Sequence, residues 1–306
     1  MNQGVLRTFK LLAAMGLGLA VPSAHSFQFL IPYAIVAMLL LAFLDIRPVG
    51  FRRQHAYLLV ANWSVGLLAW AALIPFDKQL AFVALLIGLT PTATASAVVT
   101  GMLGGRVEFV AGSVLLTNVT AGLLLPVALP LLIGSHFAME TAPFLKQTLC
   151  IVLGPLAVAQ CLRVSAPAWA KSILRFRHFS FYLWLAVLFL VTANAGHFLR
   201  AQWHAGGNLL QIAQIALIAV VLCALNFALG WKLGGPVFNR EASQSLGQKN
   251  TILTIWIALT YVNPMVALGP TFYVLCHNTY NAWQLARCQP TRAAQKDGEG
   301  VSLPSS

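Results

Sequence analysis

Apolar runs of about twenty residues succeed one another along nearly the whole chain, separated by short polar connections. A helix of about 20 apolar residues crosses about 30 Å of hydrocarbon. In hydrocarbon every backbone N–H and C=O must find a partner inside the protein, which leaves only helices and closed barrels. Strict apolar–polar alternation is absent, and the runs are too long for barrel strands. Charged residues make up 8% of the 306, against about 25% in soluble domains. The expected fold class is all-α, a polytopic membrane protein. The runs predict ten transmembrane helices at about 5–23, 27–46, 56–75, 79–104, 107–134, 144–164, 179–199, 207–231, 241–261 and 264–287.

The basic residues orient these spans. With the N-terminus in the cytoplasm, the inner segments hold Arg7, Lys10, Arg47, Arg52, Arg53, Arg106, Arg163, Lys171, Arg175, Arg177, Lys232, Arg240, Arg287, Arg292 and Lys296; the outer loops hold only Lys78, Lys146 and Arg200. This asymmetry follows the positive-inside rule and predicts a multi-pass protein of the cell inner membrane with both termini cytoplasmic. The scatter of the net charge of +12 through short loops sets nucleic acid aside and makes the lipid bilayer the expected partner; it assigns no oligomeric state. One cation, Lys249, belongs to neither side. The opening stretch MNQGVLRTFKLLAAMGLGLAVPSAHS reads either as the first span or as a cleavable signal peptide with small residues near Ala24 and Ser26. Residues 288–306 read as a disordered cytoplasmic tail. Cys150, Cys161, Cys223, Cys276 and Cys288 form no CxxC pair and read as buried free thiols.

Two spans are interrupted. The fourth carries GLTPTATASAVVTG, where Pro91 cannot donate to the helix ladder. Thr90, Thr92, Thr94, Ser96 and Thr100 cluster there, and such hydroxyls can satisfy freed backbone groups at membrane depth. Taken alone, the stretch reads equally as a site or as a proline-kinked helix. The ninth span carries SQSLGQKN, half a chain later. Each half then holds five spans with the break in its fourth. An odd number of spans inserts the second copy upside down, so the expected plan is two inverted five-helix repeats, residues 1–134 and 135–287, with broken helices four and nine. Interrupted spans at corresponding positions of inverted repeats point to a secondary transporter, and half-helix N-termini meeting near the midplane favour anions. In span ten, YVLCHNTYNAW sets His277 and Asn278 near the middle. These two read either as cavity-lining groups or as polar residues bonded inside the bundle. Asp45, Glu108 and Glu140 read as solvated span ends. No membrane-depth carboxylate orients His277 and no metal-binding set is visible, so the chain is not expected to be an enzyme and no metal or cofactor is expected.

At three stretches the sequence resembles the bile acid/sodium symporter family. TPTATASAVVTG resembles that family's Pro-Gly-Gly-Thr-Ala-Ser-Asn stretch on helix four, SLGQKNT its Glu-Val-Gly-Met-Gln-Asn-Ser on helix nine, and CHN its Trp-His-Asn on helix ten. The resemblance implies a panel and a core domain, with the broken helices crossing between them. It also marks departures. The family's sodium-binding Glu and Gln positions fall on Ser245 and Lys249, its helix-four Asn on Ala97 beside a retained Ser96, its helix-five hydroxyls on Val110 and Val114, and its helix-three Gln on Asn62. Most sodium ligands are thus replaced, and a cation stands among them.

A charge at mid-membrane costs roughly 2.5–3.5 kcal/mol even on lenient scales, so Lys249 is expected to face a polar cavity and to substitute for bound sodium; the other reading is snorkelling to an interface. The expected function is secondary transport of a small organic anion, such as a carboxylate, by alternating access and without sodium. Symport with sodium and a non-transporting receptor of the same fold are the alternatives. Thr92, Thr94, Ser96, Lys249, Asn250, His277 and Asn278 are the expected substrate-site residues, and Asn62, Ser96, Ser245 and Lys249 the expected coupling positions.

Overall fold

The computed structural model describes residues 3–45, 50–133, 141–204 and 208–287. Arg47, Glu140, Cys288 and the 288–306 tail, named above, lie outside the described residues. Among the described residues there are twelve α-helices: α1 (Gln3–Ala20), α2 (Ile31–Asp45), α3 (Arg53–Leu73), α4 (Lys78–Leu89), α5 (Ala95–Met102), α6 (Val107–Ile133), α7 (Thr141–Ser165), α8 (Pro167–Leu174), α9 (Phe179–His204), α10 (Leu209–Gly247), α11 (Thr251–Ile257) and α12 (Pro264–Arg287). A 3₁₀ segment, Pro22–Leu30, leads into α2, and one π-helical turn, Ala258–Val262, extends α11. Six helical stretches among the described residues are long and apolar enough to cross a membrane, namely Pro22–Asp45, Arg53–Leu73, Val107–Leu132, Lys146–Ser165, Phe179–Ala201 and Leu209–Gly247. Among the described residues no β-strand is formed, and the protein is an all-α, multi-pass membrane protein.

Two expected features differ in detail. Span four is two helices, α4 and α5, because Pro91 removes a donor where the ladder would continue. Spans eight and nine are not parted by a loop. They run together as the 39-residue α10, which at about 1.5 Å per residue is too long for one straight crossing. The chain turns at Gly235 (φ 63, ψ −166) and Pro236, with Phe238 also off the helical region. A positive φ suits glycine and the next proline cannot donate, so the two residues together make a bend without a linker.

Packing favours two sets of helices. α1, α2, α7 and α9 form one; α3, α4, α10, α11 and α12 form the other, with α5 against it, α6 between it and α7, and α12 also touching α1 and α9. Every residue of α4 from Leu80 to Leu89 is buried. A helix apolar all round belongs in the interior. Lipid offers no hydrophobic drive between helices, so close backbone approach at small residues matters. On α3 and α4, a Cβ added at Gly88 would stand 2.1 Å from Gly66 Cα. On α1 and α9, a Cβ at Gly18 would stand 2.0 Å from Thr192 Oγ1.

The acids take varied positions. Glu108 is exposed in the first turn of α6, at a span end, where it complements the helix dipole. Glu241 is buried, its Oε1 accepting from the Arg106 N–H at 2.8 Å. Around it, the Arg52 and Arg106 guanidiniums lie over the Phe238 ring, which stacks on Phe109 at 4.7 Å.

Candidate functional site at the crossing of the two breaks

The two interruptions meet. Thr92 and Lys249 form an antiparallel bridge, in which the Ala93 N–H donates to the Gln248 carbonyl at 2.9 Å and the Asn250 N–H to the Pro91 carbonyl at 2.7 Å. A broken helix at membrane depth strands backbone groups that must be satisfied from elsewhere, and several can be followed here. The Thr92 N–H, which a continuous helix would direct to Gly88, donates to Thr117 Oγ1 at 3.0 Å. The Thr92 carbonyl accepts from Asn118 Nδ2 at 2.9 Å. On the other segment, Thr92 Oγ1 donates to the Ser245 carbonyl at 2.7 Å and the Tyr273 hydroxyl to the Gly247 carbonyl at 2.8 Å.

Lys249 closes this arrangement. Its side chain is 1% exposed. Nζ donates to Asn62 Oδ1 on α3 and, at 3.2 Å, to the Gly88 carbonyl that the break left without its helical donor. The Gly66–Gly88 approach brings the two acceptors onto neighbouring backbones. The ammonium is therefore enclosed by neutral oxygens and does not snorkel.

The expected site residues divide into four groups. Thr92, Lys249 and Asn62 are joined directly, and Ser245 joins them through its carbonyl, its own Oγ being buried without a partner. Thr94 and Asn250 flank the crossing and, with Ile35, Met38, Leu39 and Ile252, line a cleft between α2 and the broken helices. Ser96 is fully buried, its hydroxyl donating to the Ala93 carbonyl at 2.6 Å in the first turn of α5. His277 and Asn278 are buried on α12 and do not line that cleft. A second cleft, lined by Val191, Asn194, Ile255, Leu259, Pro264 and Thr271 among others, runs between α9 and the same inner set of helices.

Sequence reasoning missed Thr117 and Asn118. It placed the relevant α6 positions at Val110 and Val114, which pack instead in an apolar cluster with Leu58, Phe109, Phe238 and Leu246. The polar face toward the crossing lies further along α6, with the Thr117 hydroxyl also donating to the Ser113 carbonyl at 2.7 Å. The run SVLLTN carried that signal, since its hydroxyls and amide recur at helical spacing. Tyr273 and Gly88 gave no signal of their own.

Among the described residues no three His, Cys, Asp or Glu side chains gather into a metal-holding group. The chemistry on offer is recognition: a fixed cation, hydroxyls, amides, and two half-helices, α5 and α11, both beginning at the crossing. A family model described as the Sodium Bile acid symporter family matches residues 29–202. The match takes in the first break and stops short of the second, so Lys249 and His277 lie beyond it. No curated protein matches the sequence.

Proposed function

Because the chain belongs to the sodium bile acid symporter family, we propose that it is a secondary transporter that carries a small organic anion by alternating access, with the Lys249 ammonium standing where relatives hold sodium. One observation carries the reading: Lys249 Nζ is enclosed at the crossing and donates to Asn62 and to the Gly88 carbonyl. A desolvated ammonium is costly unless it does electrostatic work. Here it places a positive centre at the crossing and ties α3, α4 and the second break together, the tasks of a bridging cation.

The rest of the architecture supports the same reading. An antiparallel meeting of two breaks half a chain apart fits ten helices in two inverted five-helix repeats. Clefts on both α2 and α9 follow the boundary between the two helix sets, along which one set would rock against the other. Half-helix N-termini and a cation favour a negatively charged substrate. The carrier works in the inner membrane and needs no sodium.

A thermal-shift screen of organic anions on the wild type and on Lys249→Gln tests the anion site. At least one anion stabilises the wild type and stabilises the variant less; equal shifts for every anion would remove the role given to the lysine. Uptake of that anion into proteoliposomes persists when choline replaces sodium, and a strict sodium requirement would reverse the coupling assignment.

A further inference from the structure

The interface between α10 and α12 carries a line of polar side chains that leads away from the crossing. From the crossing, Gln248 donates to Gln244, and Gln244 Nε2 donates to Gln284 Oε1 at 2.5 Å. Gln248 and Gln244 are fully buried, whereas Gln284 is half-buried, three residues from Arg287 at the end of α12. The charge distribution puts that end at the inner face. Beside this amide chain lie polar atoms that have no partner at all: His277 Nδ1, Asn278 Nδ2, Asn281 Oδ1 and, on α10, Asn226 Oδ1. All four residues are buried. An unpartnered buried polar group is costly, and four in one bundle is a heavy load unless water meets them. Polar sites with several partners are where buried water resides.

We propose that this seam is a water path open to the inner face, with His277 at its blind end exchanging protons with the inner solution. A hydronium at the mouth near Gln284 passes its proton along the water chain to the free Nδ1, leaving water at the mouth and an imidazolium at His277; release is the reverse. His277 packs edge-on against the Tyr273 ring at 5.7 Å. Tyr273 in turn holds the Gly247 carbonyl beside Lys249. The charge state of His277 thus bears on the crossing through one side chain.

The other titratable groups on packed elements are known. α10 brings Cys223, Lys232, Arg240 and Glu241, the second break brings Lys249, the π-helical turn brings Tyr261, and α12 itself brings Tyr273, Cys276, Tyr280 and Arg287. α1 brings Lys10; α11 brings none; Lys78 opens α4 at the opposite end; α9 carries Tyr182 near its start and His197, Arg200 and His204 near its end. If the chain is the carrier proposed above, the coupling ion is the proton. That consequence rests on the earlier reading, while the water path does not.

Exchange of the histidine C2 hydrogen, followed by mass spectrometry on the purified full-length protein across pH, reads both water access and titration at each ring without any substrate. His55 is the internal reference: it is 2% exposed, like His277, but both its ring nitrogens have partners, the Arg52 N–H at 2.9 Å and the Phe109 carbonyl at 2.9 Å. His277 exchanges at least about tenfold faster than His55 and with a sigmoidal pH profile. Gln284→Leu and Gln244→Leu each slow His277 by about fivefold or more while His25, His197 and His204 keep their rates. A His277 as slow as His55 would overturn the water path. Variants with wild-type rates at all four rings would overturn the route through the amide chain. Loss of transport by every test above would leave these readouts standing.

Discussion

The two breaks match in position and differ in how they are made. The first is dictated by its own residues. Pro91 cannot donate to Ile87, and the groups that this break strands are met by α6, by Lys249 and by the other segment. The second contains no proline. Its Gln248 N–H still reaches the Gln244 carbonyl at 3.1 Å as in a helix, and the extended turn at Lys249 is held by the Ala93 N–H and the Pro91 carbonyl. One helix is thus broken by sequence and the other is held open by its neighbour. At membrane depth, where water cannot repair a ladder, an interruption without a strong local breaker needs a partner that offers replacement bonds.

That dependence is most exposed where backbone meets backbone. Gly88→Val puts a branched side chain where even a Cβ would lie 2.1 Å from Gly66 Cα. No side-chain rotation relieves a backbone clash, so the cost exceeds about 3 kcal/mol. The variant yields no monodisperse species on size-exclusion chromatography in detergent. A well-behaved Gly88→Val protein would mean that α3 and α4 do not form the rigid wall on which Lys249 depends.

The next largest effect separates the ammonium from its acceptor. Asn62→Leu leaves Lys249 buried with one acceptor fewer, which costs about 1.5–3 kcal/mol, the worth of a hydrogen bond to a charged group. Lys249→Met removes the charge along with its bonds and leaves two neutral acceptors bare, at about 1–3 kcal/mol each, offset by the relief of desolvation. Asn62→Leu is therefore the more destabilised. The double variant is more stable than the sum of the two predicts, with a coupling of about 1–3 kcal/mol. Thermal unfolding of the four proteins checks the order. The reverse order would mean that the lysine is a structural prop and not a charge held at some cost.

Smaller effects come from the hydroxyls that serve the second break. Thr92→Val and Tyr273→Phe each take a donor from a buried carbonyl, of Ser245 and Gly247 respectively, and each costs about 1–2 kcal/mol. Should both prove silent, the second break holds itself open and the asymmetry between the segments disappears.

The apolar helices and both breaks were legible in the sequence because hydropathy, proline and a polar run inside an apolar stretch are local signals. The bend at Gly235–Pro236 was read as a loop, since a glycine–proline pair in a polar stretch looks the same in either case. What joins the breaks was not legible. Thr117 and Thr271 are both threonines in apolar helices, and both donate to the carbonyl four residues back, at 2.7 and 2.8 Å. Only the rotation of α6 about its axis gives Thr117 a second role at the crossing, and one helix's sequence does not specify its rotation against a partner. The same limit put the α6 positions at Val110 and Val114. Asn62 was found through resemblance, whereas Gly66 and Gly88 reveal themselves only when the two backbones are side by side.

The smallest stability change sharpens the division between holding the crossing and using it. Thr94 begins α5 half-buried, its side chain makes no capping bond, and it lines the α2 cleft opposite Met38 together with Asn250. Two residues away, Thr92 is buried and bonded across to Ser245. Thr94→Val accordingly changes thermal stability by less than about 0.5 kcal/mol, as for a surface substitution. Any anion that stabilises the wild type nevertheless binds the variant about fivefold more weakly, the worth of one neutral hydrogen bond at about 1 kcal/mol. Titrating that anion into both proteins measures the ratio. If Thr94→Val destabilises the fold as much as Thr92→Val while binding is unchanged, the α2 cleft is ordinary packing and the anion must approach the crossing from another side.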